Sequence, residues 1–434
     1  MFTRIGTAAL RSCFRQSFSR KFASTENLLV DLYRKEGALD TVTVSLALND
    51  LRDGGIRKTD KRLLPLLERL VHAQENENGQ MSAEEFEKLL NCTNLELAYK
   101  AFQKQLIIPD FQGFRAEVTD IFEGVRENRE GNIATYIPDL AKVDPDLWAA
   151  AICSVDGQRL ALGDSAKRFS VQSAGKCLNY AIALDSVSSD VVHKYIGLEQ
   201  SGKEFNAITL NEEGRPHNPM INSGSLVLCS LLERGRSVSD KLDFVRSQYE
   251  RLCGGESVGT NSSTYSSEKE TGHRNYAIGH LLQDSGAFPA DGPPLGEILD
   301  FYFHLCSIEI TADTGAVIAA TLANGGICPT TGEKVLSALA VRNTLSLMFS
   351  CGLYDYSGQW AFAVGLPAKS GVSGCILVVV PNKMGLCLMS PRLEEHGNSV
   401  RGIDFAKRLA DKYNLHQFDL SGKDYKREIE EEAN

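Results

Sequence analysis

Two residues able to carry acyl-transfer chemistry stand three apart in RFSVQSAGKCLNYAIAL, residues 168–184: Ser173 and Lys176. A serine hydroxyl is a weak nucleophile at neutral pH, but a desolvated and partly neutral lysine can take its proton. One helical turn at this spacing predicts that both side chains share a face. Phe169 and Val171 lead in with strand character, and Ala174 and Gly175 leave the serine uncrowded. The spacing alone does not single out this pair, because Ser266 and Lys269 repeat it in a polar, loop-like run that reads as solvated surface.

Lys369-Ser370-Gly371 is the only Lys-(Ser/Thr)-Gly in the chain, between two runs that read as strands, Trp360–Val364 and Cys375–Val380. Serine hydrolases of the β-lactamase and penicillin-binding type carry such a motif on the strand beside the nucleophile. The chain order, Ser-x-x-Lys early and Lys-Ser-Gly late, agrees. Together the two motifs predict a serine-dependent amidohydrolase.

The surrounding pattern supplies elements to hold these groups. Trp148–Val155 and Gln158–Leu162 flank Asp156-Gly157, a hairpin signal that delivers the chain into the nucleophile's helix. Leu386–Met389 adds a further strand, and Asn398–Tyr413 reads as a closing helix with Val400, Ile403, Phe405, Ala406 and Leu409 on its apolar face. The fold expected for residues 134–415 is an α+β sandwich with a mainly antiparallel sheet. Residues 26–133 read as an all-helical domain, with Leu28, Leu29, Leu32 and Tyr33 on one face and Leu63, Leu64, Leu67 and Leu70 on another. Within it, Gln74–Glu85 has the outline of an EF-hand loop: asparagines at positions three and five, Gly79 at six, Glu85 at twelve. Gln74 replaces the carboxylate of position one, so packing or oligomerisation is expected of this region in place of calcium binding.

Residues 1–25 carry Arg4, Arg11, Arg15, Arg20 and Lys21 and no acidic residue, the composition of a mitochondrial transit peptide. Residues 416–434 read as a disordered tail. A net charge of -10 makes nucleic acid an unsuitable partner, and the longest apolar runs are strand-sized, too short to span a membrane. The 11 cysteines form no C-x-x-C and the 8 histidines no metal-binding spacing, so reduced thiols and no metal are expected.

Between the two motifs lie NEEGRPHNPMINSG (211–224), SEKETGHRNYAIG (267–279) and ILDFYFHLCSIEIT (298–311), followed by TLANGGICP (321–329) and SCGLYDYSGQWAFAVGLPAKSGVSG (350–374). These stretches resemble the animal mitochondrial glutaminases of the kidney and liver types. The resemblance implies a β-lactamase-like catalytic domain behind an EF-hand-like one, and hydrolysis of L-glutamine to L-glutamate and ammonia. It implies Ser173 as nucleophile, Lys176 as its base, and Tyr354 as a second group at the reacting centre. It places the oxyanion donors on the backbone N–H groups of Ser173 and Val372. Glu268 matches the carboxylate that faces the substrate's α-ammonium, while Tyr136, Asn222, Asn275, Tyr302 and Tyr354 match the other substrate contacts. No cofactor is implied. Inorganic phosphate is implied as activator, the mitochondrial matrix as location, and a homo-oligomer, a dimer of dimers with the capacity to form filaments, as assembly.

Two departures accompany the resemblance. The loop Phe205-Asn206-Ala207-Ile208-Thr209-Leu210 lacks the lysine and the aromatic that vertebrate relatives place at 207 and 209, so the strength of phosphate activation and the response to inhibitors at the dimer contact are expected to differ. The ankyrin repeats of the long family forms are not expected after Asn414. Two rival readings share parts of this pattern: a β-lactam-acylated hydrolase or peptidase, and a catalytically inactive oligomeric scaffold. Glu268 and the transit-peptide composition weigh against the first; the second requires damage to a catalytic position, and none of those matched is damaged.

Overall fold

A computed structural model describes residues 29–35, 38–201 and 209–419. The basic leader, the loop positions 205–208 and the tail from 420 lie outside the described residues. By contact the chain divides into two units, one of residues up to Phe114 with the hairpin tip Asp156–Arg159, the other of Arg115–Val155 with Leu160 onward.

The first unit is built on helices Val44–Asp53, Leu64–Asn76, Ala83–Asn91 and Leu95–Phe102. Leu29, Tyr33, Leu63, Leu67 and Leu70 are buried in its core, whereas Leu32 is 49% exposed. One addition to the helical expectation is a three-stranded antiparallel sheet of Arg34–Lys35, Ala38–Thr43 and Gln80–Ser82. The EF-hand outline does fall between two helices, and Gly79 takes the left-handed φ of +68° that the sharp turn needs. Glu85, the twelfth position, is already engaged: Arg69 Nε donates to it at 2.7 Å, and Arg69 Nη2 donates to Glu77 at 2.8 Å.

The second unit is centred on a five-stranded sheet in the order Arg159–Gly163, Ala149–Ser154, Met384–Met389, Cys375–Val380, Ala368–Gly371. The three pairings from Ala149–Ser154 to Ala368–Gly371 are antiparallel. Four of these strands are buried along their whole length, and in the three six-residue ones this accounts for continuous apolar runs where alternation would mark a half-exposed sheet. On one face helix Ala312–Ala323 packs so closely that a Cβ at Gly385 would lie 2.0 Å from the Ala320 nitrogen. Only glycine admits this approach. On the other face helix Val400–Tyr413 brings Gly402 against Ile376 and Phe405 edge-on to Trp148. Helix Phe111–Arg126 adds Phe122, stacked on Trp148 with centroids 5.0 Å apart, which draws most of this helix into the second unit. The result is the expected α+β sandwich with helices on both faces.

Two local expectations are corrected. Trp360–Val364 is not a strand: Ser357–Ala363 is helical, with Ser357 and Trp360 buried three apart and Phe362 89% exposed. A one-turn spacing of buried residues suits a helix and no strand face. The second Ser-x-x-Lys is likewise helical, within Ser262–Thr271. Lys269 there donates to Asp300 at 2.7 Å and to the Tyr265 hydroxyl at 2.8 Å.

Candidate active site

A small antiparallel sheet of Arg168–Ser170, Ile308–Thr311 and Gly259–Thr260 leads the chain to the nucleophile. Val171 N–H closes it by donating to Ile308 O at 2.8 Å. The chain then enters a 3₁₀ turn, Gln172–Gly175, before helix Lys176–Val187. A 3₁₀ turn has three residues per turn, so positions i and i+3 eclipse, and Lys176 Nζ lies 2.6 Å from Ser173 Oγ. Gln172 enters this turn with φ +47°, a left-handed conformation that costs a non-glycine residue about 1 to 3 kcal/mol. Lys176 is buried while Ser173 keeps partial access to solvent. Burial lowers the lysine pKa, with Cys306 and Glu268 opposing the shift, so its neutral, basic form is within easier reach.

Strand Ala368–Gly371 carries the Lys-Ser-Gly motif at the edge of the large sheet, directly beside the nucleophile turn. A Cβ on Gly371 would stand 2.7 Å from Val171 O and 2.9 Å from the Ala174 nitrogen. The motif's glycine therefore lets the strand, with Val372 as its next residue, approach the two residues that flank the Ser173 turn, Val171 and Ala174. Tyr354, also left-handed at φ +54°, presents its hydroxyl to Ser173 and to Ser370 O at 3.4 Å. Burial raises its phenol pKa, and the bond to Ser173 opposes the rise.

Glu268 is 1% exposed on helix Ser262–Thr271. The Tyr136 hydroxyl stands between Gln172 Oε1, at 2.6 Å, and the Glu268 carboxylate. The segment bearing Tyr136 is strapped to that helix by Asp139, whose carboxylate accepts from Ser263 at 2.8 Å and from Thr264. Burial raises the Glu268 pKa, with Tyr136, Gln172 and Lys176 pulling the other way. The Tyr302 ring lies under Lys176, 5.5 Å from Nζ, and is itself 3% exposed. Asn222 opens helix Asn222–Leu231 and donates to Asn275 Oδ1 at 2.9 Å, so it is no side-chain cap. That helix packs against the nucleophile helix.

Hydrogen bonds and ring contacts thus join Ser173, Lys176, Tyr354 and Tyr302, and Tyr136 links Glu268 to Gln172, the residue before the nucleophile; Gly371, the residue before Val372, lies against the nucleophile turn, and the Asn222–Asn275 pair is connected through its helix. Sequence reasoning missed Gln172, whose left-handed backbone has no sequence signal, and the buried Asn398, which bonds beside Tyr354. It also missed the burial of Lys369, whose apolar flanks Leu366 to Ala368 and Cys375 to Val380 were the available hint.

The profile of the glutaminase family matches residues 131–418, and that of an EF-hand domain matches residues 25–109. The chain is 49% identical over 372 residues to the mitochondrial liver isoform of glutaminase from Mus musculus, covering 85% of this chain and 61% of that protein. It is 42% identical to putative glutaminase 2 of Caenorhabditis elegans, covering 91% of this chain and 67% of the relative. A glutaminase of Trichormus variabilis is 41% identical over 70% of this chain and 89% of its own length. Among solved structures, that of Mglu in its native form superposes with a TM-score of 0.66 at 34% identity, covering 71% of this chain and 74% of that one.

Proposed function

The chain belongs to the glutaminase family, and we propose that it hydrolyses L-glutamine to L-glutamate and ammonia through an acyl-enzyme on Ser173. The observation that carries this reading is the buried Lys176 amine, 2.6 Å from the Ser173 hydroxyl and lowered in pKa by its burial. Ser173 Oγ attacks the δ-carboxamide carbon while Lys176 takes the hydroxyl proton. Tyr354, hydrogen-bonded to Ser173, shares that proton traffic. Backbone N–H groups of Ser173 and Val372 hold the developing oxyanion, a role that requires fixed geometry but no particular side chain. The proton passes to the departing nitrogen, ammonia leaves, and water hydrolyses the γ-glutamyl ester.

Recognition falls to the remaining groups. Glu268 faces the α-ammonium, and Tyr136, Asn222, Asn275 and Tyr302 hold the other polar atoms of the substrate. A buried carboxylate suits a cation, and substrate groups left unpaired on burial would cost about 1 to 3 kcal/mol each. Inorganic phosphate is the proposed activator, a dimer of dimers with the capacity to form filaments the proposed assembly, and the mitochondrial matrix the proposed location. The basic composition of residues 1–25 and the name of the mouse relative support a mitochondrial location. Among the described residues no helix is long and apolar enough to cross a membrane. The test is release of glutamate and ammonia from L-glutamine by purified protein, with and without phosphate. A wild type that releases neither, or a Ser173→Ala protein that releases both at the wild-type rate, refutes the reading.

A further inference from the structure

The left-handed backbone at Tyr354 is held from several sides, and the groups that hold it lie outside the residues assigned to chemistry above. Three successive carbonyls, those of Gly352, Leu353 and Tyr354, each accept from a buried side chain. Lys369 Nζ donates to Gly352 O at 3.1 Å, Asn398 Nδ2 to Leu353 O at 3.4 Å, and Ser357 Oγ to Tyr354 O at 2.8 Å. Lys369 and Asn398 are 0% exposed and Ser357 is 2% exposed. Ser357 Oγ also accepts from Leu353 N–H at 3.0 Å, which closes the turn on itself. Asn398 is fixed in turn by Glu394, whose carboxylate accepts from its side chain at 2.8 Å and its backbone at 2.9 Å.

Lys369 does more than the other two. Its amine donates at 2.7 Å to the carbonyl of Ser370, two residues before Val372, and lies 4.7 Å from the centroid of the Tyr354 ring. One buried nitrogen therefore ties the turn bearing the tyrosine to the strand that leads to the proposed oxyanion donor.

We propose that Lys369, assisted by Asn398 and Ser357, is a positioning residue for acylation, holding the Tyr354 hydroxyl and the Val372 backbone in register with Ser173. The proposal rests on the serine acyl-enzyme reading given above. A left-handed tyrosine persists when its surroundings over-determine it, and such residues gather where placement of a group matters for function. The titratable groups that face Lys369 fit a holding role. Lys176 and Cys177 lie at the start of the nucleophile helix, Cys351 at the end of helix Ala338–Cys351, Cys375 on the neighbouring strand, and Tyr354 beneath the amine. Burial first and Lys176 second bring its pKa down to about 7. Loss of one proton still leaves two N–H donors for two carbonyls, so the tie holds on both sides of neutrality.

Lys369→Met preserves length and removes both donors. The expected result is a fall in kcat of at least about 10-fold, with the ~10² to 10⁴ that a positioned proton-transfer group supplies as its upper bound, and KM changed by no more than about 3-fold. In a Tyr354→Phe background the same substitution is expected to cost less than in wild type, because the part of its effect that runs through the tyrosine is already lost and only the part that runs through Val372 remains. Asn398→Ala and Ser357→Ala are expected to show the same non-additivity at smaller amplitude, and they carry the test if Lys369→Met does not fold by circular dichroism. Wild-type kcat in folded Lys369→Met, or losses that simply multiply with that of Tyr354→Phe, overturns the proposal. An active wild type and a dead Ser173→Ala alongside either result sinks the positioning role alone. A wild type that releases no glutamate overturns both readings.

Discussion

Glu268→Gln separates recognition from stability because the two effects are expected to have opposite signs. The side chain is 1% exposed, and its carboxyl pKa is raised above the ordinary 4.5 chiefly by burial. Between the ordinary value and the raised one, the folded protein holds a proton that the unfolded chain has released, so stability falls as pH rises through that window and stays reduced above it. Glutamine keeps the shape and can still accept from Tyr136, but carries no charge to desolvate. The substrate-free variant is therefore expected to melt at a higher temperature than wild type at neutral pH, with the difference vanishing in acid below the ordinary glutamate pKa. Activity is expected to move the other way. A hydrogen bond to a charged group contributes about 1.5 to 3 kcal/mol, and loss of this much lowers kcat/KM for glutamine by roughly 10- to 150-fold. A 4-carboxamidobutyrate substrate, which lacks the α-amino group, has no ammonium to lose and is expected to be turned over nearly equally by both proteins. The assays are coupled glutamate or ammonia release with the two substrates, and thermal melts across pH. Equal losses on both substrates, or a lower melting temperature at neutral pH, would show that Glu268 supports the structure and does not read the ammonium.

Ser173→Ala is expected to abolish turnover with an unchanged melting curve, and Lys176→Met to lower kcat by ~10² to 10⁴, as loss of a positioned base does. Because the base must be neutral to act, kcat/KM of wild type is expected to rise with pH through a pKa below the ordinary lysine value, and that limb should vanish in Lys176→Met; an unchanged profile would refute the assignment. Gly371→Ala places a methyl 2.7 Å from Val171 O and 2.9 Å from Ala174 N, so it should cost about 1 to 3 kcal/mol in denaturant unfolding and lower kcat by forcing the strand from the nucleophile turn; wild-type values for both would contradict the packing. Ala207 lies outside the described residues, and the prediction there rests on chemistry alone: alanine loses almost no side-chain entropy when a loop orders. A larger fold-stimulation by phosphate, the proposed activator, is therefore expected for Ala207→Lys, with Thr209→Phe binding apolar inhibitors more tightly at the dimer contact of the proposed assembly. Identical phosphate titrations of wild type and Ala207→Lys would place regulation elsewhere.

Local chemistry made much of this protein legible in its sequence. Ser-x-x-Lys and Lys-Ser-Gly together name a small set of reacting atoms, and the strands Cys375–Val380 and Met384–Met389 that follow the second motif are continuous apolar runs because the sheet is covered on both faces. Hairpin, sheet and closing helix could be read from turn chemistry and periodicity, which act over a few residues. Short segments that satisfy two periods were not readable in this way. Trp360 and Phe362 look like alternating strand positions, but tertiary packing buries only the first and completes a helical turn around it. The two Ser-x-x-Lys pairs have the same spacing. Their flanks, apolar around the first and polar around the second, already set them apart, and the fold supplies the chemical difference by burying Lys176 beside a 3₁₀ turn while leaving Lys269 at the surface with Asp300. The left-handed backbones of Gln172 and Tyr354 were decided entirely by tertiary structure. Neither residue type prefers that conformation, and at Tyr354 carbonyls beside it are held by Lys369 and Asn398, far along the chain. Spacing proposes which groups can react, but long-range burial sets the free energy of their charged forms and the strain their backbones can hold.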